Sequence, residues 1–152
     1  MKGANMKYNQ YPKRDAIKNY FPVPNEIFNL GLRAGEIALY AFLLKCEDRK
    51  TFKCWPSYRT ISTALNISKN TVKKYVESLY EKQLIGIEYT QIIRRNGKKL
   101  NGNLKYTIRP IQEALNYDLE KQFERKTLAI KKAEAEKKFE EYLNAKNEDA
   151  SA

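Results

Sequence analysis

Between Ser57 and Gln83, apolar side chains recur every three or four residues in two short runs separated by a break. Tyr58, Ile61 and Leu65 make the first run, and Val72, Tyr75, Val76 and Leu79 the second, which predicts two short helices. Ser57 and Ser68 stand where each helix needs an N-cap acceptor for its free N–H groups. Between them, Leu65-Asn66-Ile67-Ser68 breaks the period, and Asn tolerates turn geometry. At about 100° per residue, the side of the second helix away from Val72, Val76 and Leu79 shows Asn70, Lys74, Glu77 and Glu81, flanked by Thr71 and Lys73. Its amide and cationic residues come in the first two turns and its acids later. A helix that enters the major groove of DNA by its N-terminal end has this gradient. Asn pairs bidentately with adenine, and Lys reaches guanine or phosphate. Taken alone, a solvated amphipathic helix explains the pattern equally well.

The apolar pattern on either side changes that balance. Upstream, residues 33–46 form a strongly apolar helix with Ile37, Tyr40, Leu43 and Leu44 on its buried side, widened by Leu39 and Phe42. It is expected to pack behind the two helices as a core element. Before it, Phe21-Pro22-Val23-Pro24 is held extended by its prolines, and a short helical turn at Asn25-Glu26-Ile27-Phe28 ends near Gly31. After it, a charged turn leads to a short strand over residues 51–55, stopped by Pro56, with Trp55 read as a core or hinge aromatic.

Downstream of the second helix the period falls to two. Ile85, Ile87, Tyr89 and Ile93 alternate with Gly86, Glu88, Thr90 and Ile92, and Leu104, Tyr106 and Ile108 alternate with Lys105, Thr107 and Arg109. Asn96-Gly97 and Asn101-Gly102 lie between them, and Asn-Gly is a strong hairpin signal because both residues accept positive φ. The hairpin tip carries Arg94, Arg95, Lys98 and Lys99, with Lys105 on the returning strand. Helix, helix-turn-helix, then a hairpin with a basic tip is the order of a winged helix. A basic wing beside a basic recognition helix suits a grip on the backbone or minor groove next to the site that the helix reads. The expected fold class is mainly α with a small β-hairpin: a winged helix-turn-helix followed by a long C-terminal helix.

Charge strengthens the reading. The 152 residues carry a formal net charge of +11. Residues 1–110 hold 21 Lys/Arg against 8 Asp/Glu, and residues 111–152 hold 8 against 10. The basic excess therefore belongs to the first part and calls for a polyanionic partner. Residues 1–20, where Lys2, Lys7, Lys13, Arg14 and Lys18 interleave with tyrosines, are read as a flexible basic arm. The domain proper is placed at 21–110, a long helix at 111–147 and a frayed tail at 148–152. In that helix Ile111, Leu115, Leu119 and Phe123 form a stripe that could dock back on the domain. The mixed charges beyond are those of a solvated helix, and a homodimer or a protein partner is expected there.

Other chemistries find little support. With no histidine, the chain lacks Ser-His and Cys-His nucleophile pairs and the commonest general base. Cys46 and Cys54 cannot complete a structural zinc site within one chain and are read as core-filling thiols. The six glycines match no phosphate-binding pattern. No cofactor, no metal and no catalysis are expected. No run of about 18 apolar residues suggests a membrane span, and the cytosol is the expected compartment.

The stretch from Phe21 to Pro110 resembles winged helix-turn-helix domains of the helix-turn-helix domain 36 type, which occur in proteins of Gram-positive plasmids, phages and integrative elements. The likeness lies in Val23-Pro24-Asn25-Glu26-Ile27-Phe28, Trp55-Pro56-Ser57, Ile67-Ser68-Lys69-Asn70-Thr71-Val72, Leu79 and Leu84-Ile85. A similar layout opens plasmid replication initiators and primosomal helicase-loading proteins. The resemblance implies double-stranded DNA as partner, with contacts at Ser68, Lys69, Asn70, Thr71, Lys73, Lys74 and the wing tip. It implies a role in replication or transcription control of a mobile element. The C-terminal stretch departs from what a complete initiator shows. A second reading, a protein–protein adaptor in a replication or transfer complex, would use Tyr80, Leu84 and the tail.

Overall fold

The computed structural model describes residues 21–151, so the expected basic arm at 1–20 lies outside the described residues. A short 3-10 helix at Asn25–Asn29 leads through Gly31 (φ +64°) into α1, Ala34–Cys46. Strand β1 (Lys53–Cys54), α2 (Tyr58–Leu65) and α3 (Lys69–Glu81) follow, then β2 (Ile85–Glu88), β3 (Gln91–Ile93), β4 (Lys99–Asn101), β5 (Lys105–Ile108) and α4 (Ile111–Ala150). The fold class is the expected one: mainly helical, with a helix-turn-helix, a small antiparallel hairpin and a long C-terminal helix.

The turn between α2 and α3 has the anticipated chemistry. Asn66 adopts a left-handed conformation (φ 54°, ψ 46°) as the C-cap of α2, a geometry that Asn tolerates. Ser57 and Ser68 cap α2 and α3, accepting hydrogen bonds from the backbone N–H of Thr60 at 3.0 Å and of Thr71 at 3.1 Å.

The core lies where α1, α2 and α3 meet the sheet β1-β5-β2. Ile27, Leu39, Leu43, Ile61, Val72, Leu79, Leu84, Ile85 and Tyr106 are all fully buried. On α1 the fully buried side is Glu36, Leu39, Tyr40 and Leu43, while Ile37, Phe42 and Leu44 are only partly covered. The buried side is thus centred closer to Leu39 than the periodicity implied. Gly35 sits directly under the Tyr75 ring of α3, where any added methyl would overlap it. This close approach draws the start of α1 onto the second helix of the pair.

One acid enters this interface. Glu36 is 5% exposed, and its carboxylate accepts from the Arg33 backbone N–H at 2.8 Å and from Lys82 Nζ at 3.3 Å. Burial pushes its pKa up. Hydrogen bonding from Ser78, Arg33 and Lys82, with the charge of Lys82, outweighs burial and holds it below the ordinary 4.5.

Several residues sit differently from the expectation. Trp55 is half exposed, and only its carbonyl is engaged, accepting from Asn103 Nδ2 at 3.3 Å. Cys54 fills the core as expected, and its thiol is pushed up to about 12, chiefly by burial. Cys46, the last residue of α1, has left the core and is exposed. Leu84 is wholly buried, so it offers no contact surface to a partner.

Helix α4 docks through Ile111, Ala114 and Leu115 beside the 3-10 helix, while Leu119 is 57% and Phe123 65% exposed. The stripe of every fourth residue drifts about 40° per step around a helix. By Phe123 it has wound off the contact face. Helix α4 runs past residue 147 to Ala150, because Asn147, Glu148 and Asp149 include no helix breaker and Ser151 bonds back to the carbonyls of Asn147 and Glu148.

The Glu36 clamp carries a pH dependence. A carboxylate with a lowered folded-state pKa stabilises above its unfolded value, and that contribution is lost as pH falls through the folded value. Urea melts of Glu36→Gln should show a loss of about 1–3 kcal/mol at pH 7. The gap to the natural protein should close as pH drops below 4.5. A gap that persists unchanged at pH 3 would assign the effect to packing instead.

Candidate nucleic-acid interface

Helix α3 is fixed in rotation by Val72, Val76 and Leu79, which are 0–1% exposed. The opposite side must therefore face solvent, and Lys69, Asn70, Lys73, Lys74, Glu77 and Glu81 are all exposed. Ser68 and Thr71 have a local task. The Ser68 hydroxyl accepts from the Thr71 backbone and shares a 2.8 Å hydrogen bond with its hydroxyl, so both side chains build the helix cap. Lys73 lies 3.9 Å from Glu77, one turn along, in a loose and exposed pair.

The wing is a hairpin in two parts. Its base pairs β2 with β5, from Ile85↔Ile108 to Glu88↔Lys105. Its outer part pairs β3 with β4, from Gln91↔Asn101 to Ile93↔Lys99. Between them Tyr89 and Thr90 face three residues, Gly102, Asn103 and Leu104. This is a bulge with one extra residue on the returning strand, which bends the hairpin and re-aims what lies beyond. The Gly102 N–H donates to the Thr90 carbonyl at 2.8 Å, and the Thr90 hydroxyl donates to the Asn103 carbonyl. A methyl on Gly102 would overlap the Thr90 hydroxyl.

Of the two Asn-Gly pairs, only Asn96-Gly97 makes the turn. Arg94 N–H donates to the Lys98 carbonyl at 3.0 Å and Gly97 N–H to the Arg94 carbonyl at 2.9 Å, with Gly97 at φ +76°. Asn96 keeps a negative φ, and its Oδ1 accepts from Lys98 N–H at 3.1 Å. The result is a three-residue loop closed by a left-handed glycine rather than a two-residue turn. Asn101-Gly102 belongs to β4 and the bulge.

At the tip, Arg94, Arg95, Lys98 and Lys99 are all exposed. Lys105 is not brought to them. It sits in β5 below the bulge, where its ammonium donates to Glu88 Oε2 at 2.5 Å. That bond raises the Lys105 pKa and lowers that of Glu88. The wing base and α3 share a cleft of about 510 Å³, lined by Lys73, Val76 and Glu77 on one side and Thr90, Asn101 and Asn103 on the other, with Ser57 and Tyr58 at its edge. Helix α3 and the wing are thus parts of one surface.

Glu77 and Glu81 lie on α3 itself, and three other acids of the domain are engaged away from that surface. Glu36 holds Lys82, Glu88 holds Lys105 with Lys53 at 4.0 Å, and Glu113 holds Arg109. Among the described residues, Lys69, Lys74, Arg94, Arg95, Lys98 and Lys99 have no acidic partner. Arg59, in the first turn of α2, is likewise exposed and unpaired among them. Its signal in the sequence is a cation two residues after the Ser57 cap.

Residues 30–85 match a family model described as a helix-turn-helix domain. The match runs from the end of the 3-10 helix to the first residue of β2, and so takes in α1, α2 and α3 but not the wing. A solved structure described as a possible transcriptional regulator from Methanosarcina mazei Go1 is similar at 20% identity, with a TM-score of 0.44, covering 68% of this chain and 80% of its own. No curated protein matches the chain. Among the described residues, no helix is long and apolar enough to cross a membrane.

The cap geometry gives a stability test for Ser68. Ser68→Ala should cost about 1 kcal/mol of unfolding free energy, and Ser68→Asn, which retains a capping acceptor, should restore most of it. Equal stability of the alanine variant and the natural protein in urea would show that the cap does not hold α3.

Proposed function

We propose that this protein is a non-catalytic, double-stranded DNA-binding regulator. The first two turns of α3 enter the major groove, and the wing tip holds the flanking backbone. The observation that carries the reading is the sorting of charge. Six cations on α3 and the wing tip stand in solvent free of acidic partners among the described residues, while Glu36, Glu88 and Glu113 are tied up elsewhere and Glu77 reaches only Lys73. Exposed, uncompensated cations on one continuous surface are the electrostatic footprint of a phosphate partner. Asn70 would read adenine, Lys69 and Lys74 would reach guanine or phosphate, and Lys73 would turn from Glu77 to the backbone. Ser68 and Thr71 would lie at the groove as the cap of the reading helix. The matched helix-turn-helix domain supports this reading, and the resemblance to domains of plasmids, phages and integrative elements favours replication or transcription control of such an element.

Helix α4 would serve self-association. Leu115, Leu119, Phe123 and Ile130 fall within about 80° of arc at 100° per residue, and the last three are 57–65% exposed. With 8 Lys/Arg against 10 Asp/Glu after residue 110, α4 lacks the strong positive charge that would hold two copies apart. The adaptor reading loses Leu84 to the core and keeps Tyr80, which is 50% exposed.

Fluorescence anisotropy on a duplex, across a salt series, tests the DNA reading. Binding should weaken linearly in log–log form, and alanine at Arg94, Arg95, Lys98 and Lys99 together should flatten the slope by about 3–4. No binding at low salt would overturn the proposal in favour of the adaptor. Sedimentation at tens of micromolar should show a dimer that Phe123→Glu converts to monomer; a monomeric natural protein would remove α4 as a self-association helix.

A further inference from the structure

Beyond the bulge, the wing is a ribbon without a core. Its middle and last pairs are Ile92↔Leu100 and Ile93↔Lys99. Neighbouring residues of a strand point to opposite faces, and yet Ile92 is 57% and Ile93 67% exposed. A short two-stranded ribbon is marginal in water unless one face is covered. Here neither isoleucine is covered, and the strand would keep its propensity with threonine, which is also β-branched.

The two faces differ. Ile92 shares its face with Leu100 and leans toward the bulge, where a methyl on Gly102 would come within 3.3 Å of its Cγ1. Ile93 shares its face with Lys99 and directly precedes Arg94 and Arg95. An apolar group ringed by cations, at the end of a ribbon that adjoins the reading helix, needs a partner that is anionic outside and apolar within. Duplex DNA has that construction, with phosphates flanking grooves whose floor is stacked bases. Apolar wedges of this size enter base steps from the minor groove and kink the duplex.

We propose that Ile93 is an intercalating wedge: Arg94, Arg95, Lys98 and Lys99 seat the ribbon on the phosphates of the minor groove, and the Ile93 side chain enters a base step and bends the DNA. This rests on the DNA-binding reading and adds deformation to it. It also assigns a second source of specificity. Pyrimidine–purine steps kink most easily, so the bound site carries a TA or CA/TG step beside the stretch read by α3, at a position that no side chain reads by hydrogen bonding.

The test uses the full chain and a duplex selected by it from a random pool, labelled at both ends for energy transfer. The natural protein should shorten the end-to-end distance, with a bend of about 20–90°. Ile93→Thr should abolish the bend and weaken binding about tenfold, with the salt slope unchanged because no cation is lost. Ile93→Leu should restore the bend, and Ile92→Thr should keep it. Unchanged thermal melting would show that the ribbon still folds in each variant. A duplex bound straight, or a bend that survives Ile93→Thr, overturns the wedge while leaving DNA binding intact. Failure to select or bind any duplex overturns the DNA reading and the wedge with it. If Ile93→Thr instead abolishes binding to phosphatidylserine vesicles and leaves the DNA bend in place, the isoleucine serves a lipid surface and the wedge is wrong.

Discussion

The rotation of α3 about its own axis is the constraint on which the rest depends. Val72, Val76 and Leu79 are pressed into the core, and the Tyr75 ring covers Gly35. A helix turned by one residue would swing about 100°, expose a valine and bury a lysine, so no neighbouring rotation competes. Which side chains this protein offers to a partner is therefore decided by what it hides. Asn70, Lys69 and Lys74 face outward because three apolar side chains of the same helix face inward. The Glu36–Lys82 pair then ties the far end of α3 to the start of α1.

Charge is handled by segregation rather than by excess alone. The domain has acids enough to neutralise part of its basic surface, but apart from Glu77 and Glu81 in the later turns of α3 the paired ones lie on other elements. Glu88 sits opposite Lys105 in the sheet, Glu113 one turn from Arg109, and Glu36 beneath Lys82. The exposed pairs, Glu88–Lys105 and Glu113–Arg109, add little stability, so their effect here is chiefly on the potential. They quiet the flanks and leave Lys69, Lys74 and the wing tip uncompensated.

Local patterns were legible in the sequence, and long-range pairing was not. Helix bounds, both serine caps, the Asn66 turn and the order of elements follow from contacts within about four residues, which periodicity reports directly. The bulge does not. It depends on how residues 89–90 meet residues 102–104 across the hairpin, and alternation runs through Tyr89 without a mark. The same limit hid the Glu88–Lys105 pair, which takes Lys105 out of the wing-tip set. The stripe on α4 failed for a different reason, since spacing of four is a fair guide over two turns and a poor one over four. Trp55 and Cys46 show that an apolar or sulfur-bearing residue at the end of an element takes its surroundings from where the chain leaves the core. In the candidate interface, the exposure of the cations was readable from the helix face and the hairpin tip. The exposure of Ile92 and Ile93 was not, because alternation promises one covered face and the outer ribbon has none.

From Gln122 to Ala150, α4 runs through solvent with every residue exposed. At 1.5 Å per residue, those turns span roughly 43 Å, more than the length of a ten-base-pair turn of duplex. A partner that met Phe139, Tyr142 and Leu143 at the far end would meet them at a distance from the cleft between α3 and the wing. In the self-association proposed above, the helix would be a spacer as well as a surface. It allows one end of this small protein to be engaged without crowding the other, and it gives the span between the two ends a length set by residue count.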